Sequence, residues 1–163
     1  MNIIGVKIQY FLTLILIVGI FSSCSIENYS TKKLAANNEI LSYINDCGYS
    51  VVPDSLGLVF ISLKQGNGVF PKDNDLVAFH YVGYYLNGEI FDSSYDKSRP
   101  LVVQLGENKL IKGLECSLVK MDKGSKSKVV IPFYLAYDNM VNGPVPPYSN
   151  LVFELELIDI DAK

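Results

Sequence analysis

The sequence has no tryptophan, one histidine and three cysteines in 163 residues. A lone histidine, His80, has no ligand partners, and no CxxC pair or other metal-ligand spacing occurs. His80 sits in an alternating strand pattern, where a hydrogen-bonded core position is the expected place for it. It forms no recognisable triad with serine and aspartate. GxSxG, HExxH, a P-loop and a DxDxDG calcium loop are all missing. The short glycine motifs "GNG" and "NGE" read as turns, not phosphate cradles. Hydrolytic and redox catalysis, a metal and a cofactor therefore have no support. Basic residues never run beyond Lys32-Lys33 and the net charge is −3, which argues against a nucleic-acid partner. Repeats and low-complexity tracts are lacking too. What is present is apolar: 49% hydrophobic against 19% charged residues, enough for one domain with a buried core.

The first 24 residues, "MNIIGVKIQYFLTLILIVGIFSSC", stand apart. Lys7 precedes an apolar run from Tyr10 to Phe21, shorter than the roughly 20 residues a membrane-spanning helix needs. This reads as a signal peptide over residues 1–23, with an uncleaved anchor as the alternative. "IFSSC" resembles a bacterial lipobox, so Cys24 is the expected lipidation site and the membrane an expected partner through acyl chains. Cys47 and Cys116 then remain as free thiols or as one bridge.

Residues 24–56 read as a tether with a short helix from Lys32 to about Asp46, stopped near Gly48. From Gly57 the pattern turns to β. "GLVFISLKQ", "LVAFHYVGYYL", "EIF", "LVVQL", "SKSKVVIP" and "NLVFELELIDI" read as strands. Asn87-Gly88 signals a type I′ hairpin. "NKLIKGLECSLVKM" carries Leu110, Ile111, Leu114, Leu118 and Met121 at helical spacing. "FYLAYDNMVNGPVPPY" is a long loop. Mostly antiparallel strands with one core helix predict an α+β fold, a five- or six-stranded half-barrel sheet wrapped around that short helix.

"GEIFDSSYD" holds the oddest feature, Asp92 directly after Phe91 and close to Tyr81, Tyr84 and Tyr85, with no base to pair with it. Tyr81, Phe91, Val103, Ile111, Tyr137, Val145 and Phe153 make an aromatic and aliphatic set whose polar members are two phenols and Asp92. The ordered motifs "VAFHYVGYYLNGEIFDSS", "PLVVQLGENKLIKGLECSLVKMDKGSKSKVVIP" and "LAYDN…PVPPYSNLVFELELI" resemble the FKBP-type peptidyl-prolyl isomerases, the tacrolimus-binding immunophilins. The likeness covers residues 57–161, with its core motifs at 73–161.

That resemblance implies a cleft between helix and sheet. Tyr81, Asp92 and Tyr137 are its implied catalytic residues. Phe91, Leu101, Val103, Leu110, Ile111, Leu114, Val145 and Phe153 are implied to contact substrate, with the Ile111 N–H and the Tyr137 hydroxyl as donors. Proline-containing polypeptides are the implied substrates and tacrolimus- or rapamycin-type macrolides the implied ligands. Asp92 is expected to hold Tyr81 or a nearby loop rather than to move protons. Four positions depart from the family pattern: Leu114 stands at a tryptophan position, Asp138 at a glycine position, and Leu101 and Val103 at phenylalanine positions. With the lipobox, the expectation is a folding helper for exported proteins. It is anchored in the bacterial envelope, with Ser25 pointing to the outer membrane on its periplasmic side. The alternative is a weakly active chaperone or structural lipoprotein, similar to gliding-motility-associated immunophilins.

Overall fold

In a computed structural model, which describes residues 28–161, the first element is helix α1, Tyr29–Asp46. The chain divides at Thr31, and residues from Lys32 onward form one unit. Asn28 caps α1 through its side-chain oxygen, which accepts the Ser30 N–H at 3.2 Å. Gly48 ends it with a left-handed φ of 72°. Gly48 N–H then reaches the Asn45 carbonyl and Tyr49 N–H the Ile44 carbonyl, each at 2.9 Å. The helix is longer than expected, 18 residues.

Six strands follow: β1 Val59–Lys64, β2 Leu76–Tyr85, β3 Ile90–Ser93, β4 Leu101–Gln104, β5 Lys126–Ile131 and β6 Leu151–Asp161. All their pairings are antiparallel, in the order β1-β5-β6-β2-β3, with β4 pairing the first half of β2. The predicted α+β class and antiparallel sheet are found. Helix α2, Lys112–Leu118, has only seven residues. Leu110 and Ile111 precede it, Ile111 in extended geometry (ψ 148°), and Met121 lies on a turn after it. The helical spacing of those side chains therefore overstated the helix. Left-handed Asn108 (φ 54°) and Gly124 (φ 86°) break the backbone on either side.

Side-chain alternation explains the layers. Val77, Phe79, Val129, Ile131, Phe153, Leu155 and Leu157 face α2 and pack on Leu114 and Leu118. Val59, Ile61, Val130 and Val152 face the other way and meet Ile40 and Ile44 of α1. The segment expected to be a tether thus carries a helix that covers the second face of the sheet.

The β2–β3 turn corrects the type I′ expectation. Only Gly88 of the Asn87-Gly88 pair is left-handed (φ 89°). Gly88 N–H bonds to the Tyr85 carbonyl at 2.9 Å, and the register slips between Gly83 and Tyr84. This is a type I turn closed by a left-handed glycine, and the register slip is a separate bulge that leaves Phe91 as the extra residue of β3. His80 is half-buried rather than in the core, with Nδ1 2.9 Å from Ser94 Oγ and its ring stacked on Tyr95. Cys47 and Cys116 are free. Cys24 lies outside the described residues. Among the described residues no helix is long and apolar enough to cross a membrane.

One stability prediction belongs to α2. A Cβ on Gly113 would press into Ile131, whose Cδ1 would lie 2.9 Å away and Cγ1 3.0 Å, with Cγ2 closer still. Overpacking costs about 1–3 kcal/mol, against about 1 kcal/mol gained from alanine's helix propensity. Gly113→Ala should therefore lower the thermal midpoint, and adding Ile131→Val should recover part of it. An unchanged midpoint in a thermal melt would show that Ile131 moves aside freely.

Candidate functional site

Strand β2 presents Tyr81, and β3 places Phe91 and Asp92 beside it, because the bulge re-aims the strand just before the loop. Leu101 comes from β4, Leu110 and Ile111 from the approach to α2, Leu114 from α2 itself, Tyr137 from the loop after β5, and Phe153 from β6. These nine residues line one cleft of about 340 Å³, together with Lys109 and Asn142. Phe91 and Phe153 meet edge to face, centroids 5.7 Å apart, and Tyr81 packs against Phe153 at 6.2 Å. The other two expected contacts are elsewhere: Val103 and Val145 are core residues, 7% and 2% exposed, and do not line the cleft.

The polar edge is a three-member clasp. The Tyr81 hydroxyl donates to Asp92 Oδ2 at 2.6 Å, and Lys97 Nζ donates to Asp92 Oδ1 at 2.8 Å and to the Tyr81 hydroxyl oxygen at 3.1 Å. The Ser93 N–H also donates to Asp92 Oδ1. Burial pushes the Asp92 carboxyl up, but its bonds to Lys97 and Tyr81 outweigh this and hold it below the usual carboxylate range. Hydrogen bonds to Asp92 and then Tyr81 push Lys97 up to about 12. The tyrosines move the same way for a different reason. Burial raises Tyr81, and burial raises Tyr137 against an opposing hydrogen bond from Asn142, so both keep their protons at neutral pH.

Backbone donors are set as well. Ile111 is the N-cap of α2, and its N–H makes no hydrogen bond to the described residues. Ser94, buried, pins Tyr81 from behind: its Oγ accepts the Tyr81 N–H at 2.9 Å and its own N–H bonds the Tyr81 carbonyl at 3.0 Å. Asp138 is left-handed (φ 53°), the conformation that makes glycine favourable there, and aspartate is among the residues that tolerate it. The departure at Asp138 therefore preserves the loop path.

Sequence reasoning missed Lys97, Ser94, Lys109 and Asn142. Ser94 was visible as the last residue of "FDSS", and Lys97 as a cation five residues after Asp92, but exposed lysines are too common to single one out. A larger groove, about 590 Å³, runs between α1, residues 53–57 and Tyr134–Leu135. Its polar groups pair with protein: Asp54 with Lys120 and Asn37 with Tyr134. The smaller cleft, lined by four aromatic residues and with fixed donors, is the better candidate.

The clasp predicts a pH profile. The depressed Asp92 contributes stability present above its unfolded pKa, about 3.9, and lost as pH falls through the folded value. The raised Lys97 contributes stability present below about 10.4 and lost as pH rises through about 12. Between those limits the clasp does not titrate. Any activity carried by the cleft should be flat from about pH 5 to pH 9, measured by NMR exchange so that no coupling protease intrudes. A limb inside that window would mean that another group governs the rate.

Residues 67–158 match the model of the FKBP-type peptidyl-prolyl cis-trans isomerase family. The FKBP-type peptidyl-prolyl cis-trans isomerase FkpA of Buchnera aphidicola is 42% identical over 109 residues, 67% of this chain and 43% of that protein. FkpA of Escherichia coli strain K12 is 40% identical over 110 residues, 68% of this chain and 40% of that protein. FK506-binding protein 1 of Debaryomyces hansenii is 39% identical over 61% of this chain and 90% of its own length. The crystal structure of FkpA from Escherichia coli superposes with a TM-score of 0.70 at 31% identity, covering 99% of this chain and 74% of that one. AtFKBP13 superposes at 0.62 with 34% identity, over 67% of this chain and 96% of its own. The chain spans less than half the length of the two FkpA relatives.

Proposed function

We propose a function from the premise that this chain belongs to the FKBP-type peptidyl-prolyl cis-trans isomerase family. The chain accelerates cis–trans rotation of X-Pro bonds in polypeptides, in the cleft between α2 and the sheet. The observation that carries this is the cleft's lining, aromatic and aliphatic walls with a few fixed donors at one edge. Rotating a peptide bond costs about 18–20 kcal/mol because resonance stiffens it. X-Pro bonds populate both isomers, so a catalyst of the step has substrates. No covalent bond breaks, so Asp92 needs no base as partner.

A planar amide is more polar than a twisted one. An apolar cleft that strips water from it raises the ground state relative to the transition state. Phe91, Leu101, Leu110, Leu114 and Phe153 are the walls for the proline ring and its neighbours. The Ile111 N–H and the Tyr137 hydroxyl are the donors that grip substrate carbonyls. Asp92, held by Tyr81 and Lys97, sets a negative edge beside the twisting carbonyl carbon. Val103 and Val145 support the walls from beneath. Macrolides of the tacrolimus type are ligands of the same cleft. The lipobox at Cys24 supports a further reading, an envelope lipoprotein acting on exported chains.

A protease-coupled assay on an Ala-x-Pro-Phe peptide tests the activity. Acceleration by the folded chain, reduced in Tyr137→Phe, is the expected result, and no acceleration sinks the reading. Palmitate labelling that persists after Cys24→Ala would remove the anchor. A second reading, a module that holds unfolded chains, is favoured by the exposed apolar side chains next to cleft residues, Met140 at 63% and Val141 at 70%. Suppression of client aggregation without rate acceleration would select it.

A further inference from the structure

We propose that helix α1 is part of the catalytic unit: Asn37 and Glu39 act, through Tyr134 and Asn150, as positioning residues for the loop that presents Tyr137 and Asn142 to the cleft. The inference rests on the reading of that cleft as the active site. Helix α1, Tyr29–Asp46, lies outside the family match at 67–158.

The loop from Phe133 to Asn150 leaves β5 and returns at β6, and α1 grips it at both ends. Asn150 is the central pin, 5% exposed. Its Oδ1 accepts the Phe133 N–H at 3.1 Å, and its Nδ2 donates to Glu39 Oε2 at 2.9 Å and to the Ala36 carbonyl at 3.3 Å. One buried amide thus ties the loop's start, the loop's end and the helix together. The Tyr134 hydroxyl donates to Asn37 Oδ1 at 2.9 Å. Two cations of α1 sit over loop rings, Lys33 Nζ 4.2 Å from the Tyr134 centroid and Lys32 Nζ 4.5 Å from that of Tyr148. Phe133 packs edge to face against both rings, at 5.3 and 5.2 Å.

The grip is connected to the cleft by backbone bonds. Asp138 N–H bonds the Phe133 carbonyl at 2.9 Å, and Tyr148 N–H bonds the Asp138 carbonyl at 2.7 Å. Ala136 and Tyr137 are the two residues between the anchored turn at Phe133–Leu135 and Asp138. Loosening Phe133 or Tyr148 therefore acts directly on the backbone that carries the Tyr137 hydroxyl. The helix has a separate hold on the sheet through Ile40 and Ile44. Removing its polar contacts frees the loop while leaving α1 seated.

The test compares the full chain with the double variant Asn37→Ala/Glu39→Ala. Neither residue lines the cleft. Catalysed X-Pro exchange should fall in kcat/KM by roughly tenfold, below the ~10²-fold that a 1 Å misplacement costs. Tyr137 ring signals should broaden or shift in NMR spectra, while those of Phe79, in the core, stay in place. Glu39→Gln keeps an acceptor for Asn150 and should retain both the rate and the Tyr137 signals. Should the double variant fail to fold, Tyr134→Phe removes the same bond from the loop side and is expected to move Tyr137 alike. A folded double variant with native Tyr137 signals overturns the inference. A wild-type chain that catalyses nothing removes the activity reading instead, and the Tyr137 signals still decide whether α1 holds the loop.

Discussion

Gly83→Ala is expected to lower catalysed X-Pro exchange by about 10²-fold, the scale of a 1 Å misplacement in a reacting site. Gly83 lies on β2 between Tyr81 and the bulge, and its backbone is not left-handed, so its role is room rather than conformational freedom. An alanine Cβ there would sit 2.7 Å from Phe91 Cζ, 3.0 Å from Phe91 Cε2 and 2.9 Å from Phe153 Cε1. Both rings are walls of the cleft and already touch edge to face. They have no flexible tip to move aside, so at least one must tilt, off its rotamer or into the cleft, at about 0.5–1.5 kcal/mol. Stability should fall by about 1–3 kcal/mol, the usual cost of overpacking. Exchange NMR and a thermal melt on one sample separate the two effects. A native rate in a destabilised variant would show that the spacing of these rings does not set catalysis.

Phe153→Ala has the largest expected effect on stability. Phe153 is 2% exposed and stands where the core meets the cleft, against Phe91 on one side and Tyr81 on the other. Truncating a buried phenylalanine costs about 3–5 kcal/mol, a large part of the roughly 5–15 kcal/mol that holds a domain folded. The cavity opens into the cleft, so water reaches the bound amide and the apolar environment is lost. Urea unfolding should show a lower midpoint with an unchanged slope, and kcat/KM should fall even at temperatures where the variant is folded. Phe153→Leu refills part of the volume and should recover more stability than rate, because the edge-to-face contact is not restored. A loss below about 1 kcal/mol would mean that the pocket collapses to fill the gap.

Much of this architecture was legible in the chain. Period-two alternation marked β1 and β6, because one face of each must be buried whatever its neighbours are, and apolar runs bounded by turn residues marked the other strands. Gly48 marked the end of α1 for a local reason, since a left-handed residue closes a helix wherever it occurs. Asp92 was legible as a polar group without a base that would hold Tyr81 or a nearby loop, and the Tyr81 hydroxyl is 2.6 Å away. The misreadings share a cause. The Asn87-Gly88 pair suits a I′ turn, but the turn closes from Tyr85 to Gly88 with Gly88 alone left-handed. Val103 and Val145 have the character of cleft residues, yet a residue's position in the chain does not say whether it lies at the surface of a core or inside it. The outward Val59, Ile61, Val130 and Val152 were a signal that the second face of the sheet is covered. Nothing local in the sequence points that face to α1, because a helix carries no address for the surface it will meet.

The sequence by itself determined the strands, the helix signals and the apolar character of the cleft residues, since each depends on neighbours a few residues apart. Only the tertiary structure decided which side chains converge. Tyr81 and Phe153 are brought together by β2–β6 pairing, Lys97 reaches back to Asp92 and Tyr81 across a loop, and Asn150 meets Glu39 from the far end of the chain. Those contacts are set by the summed packing of two hydrophobic layers, which no local stretch encodes.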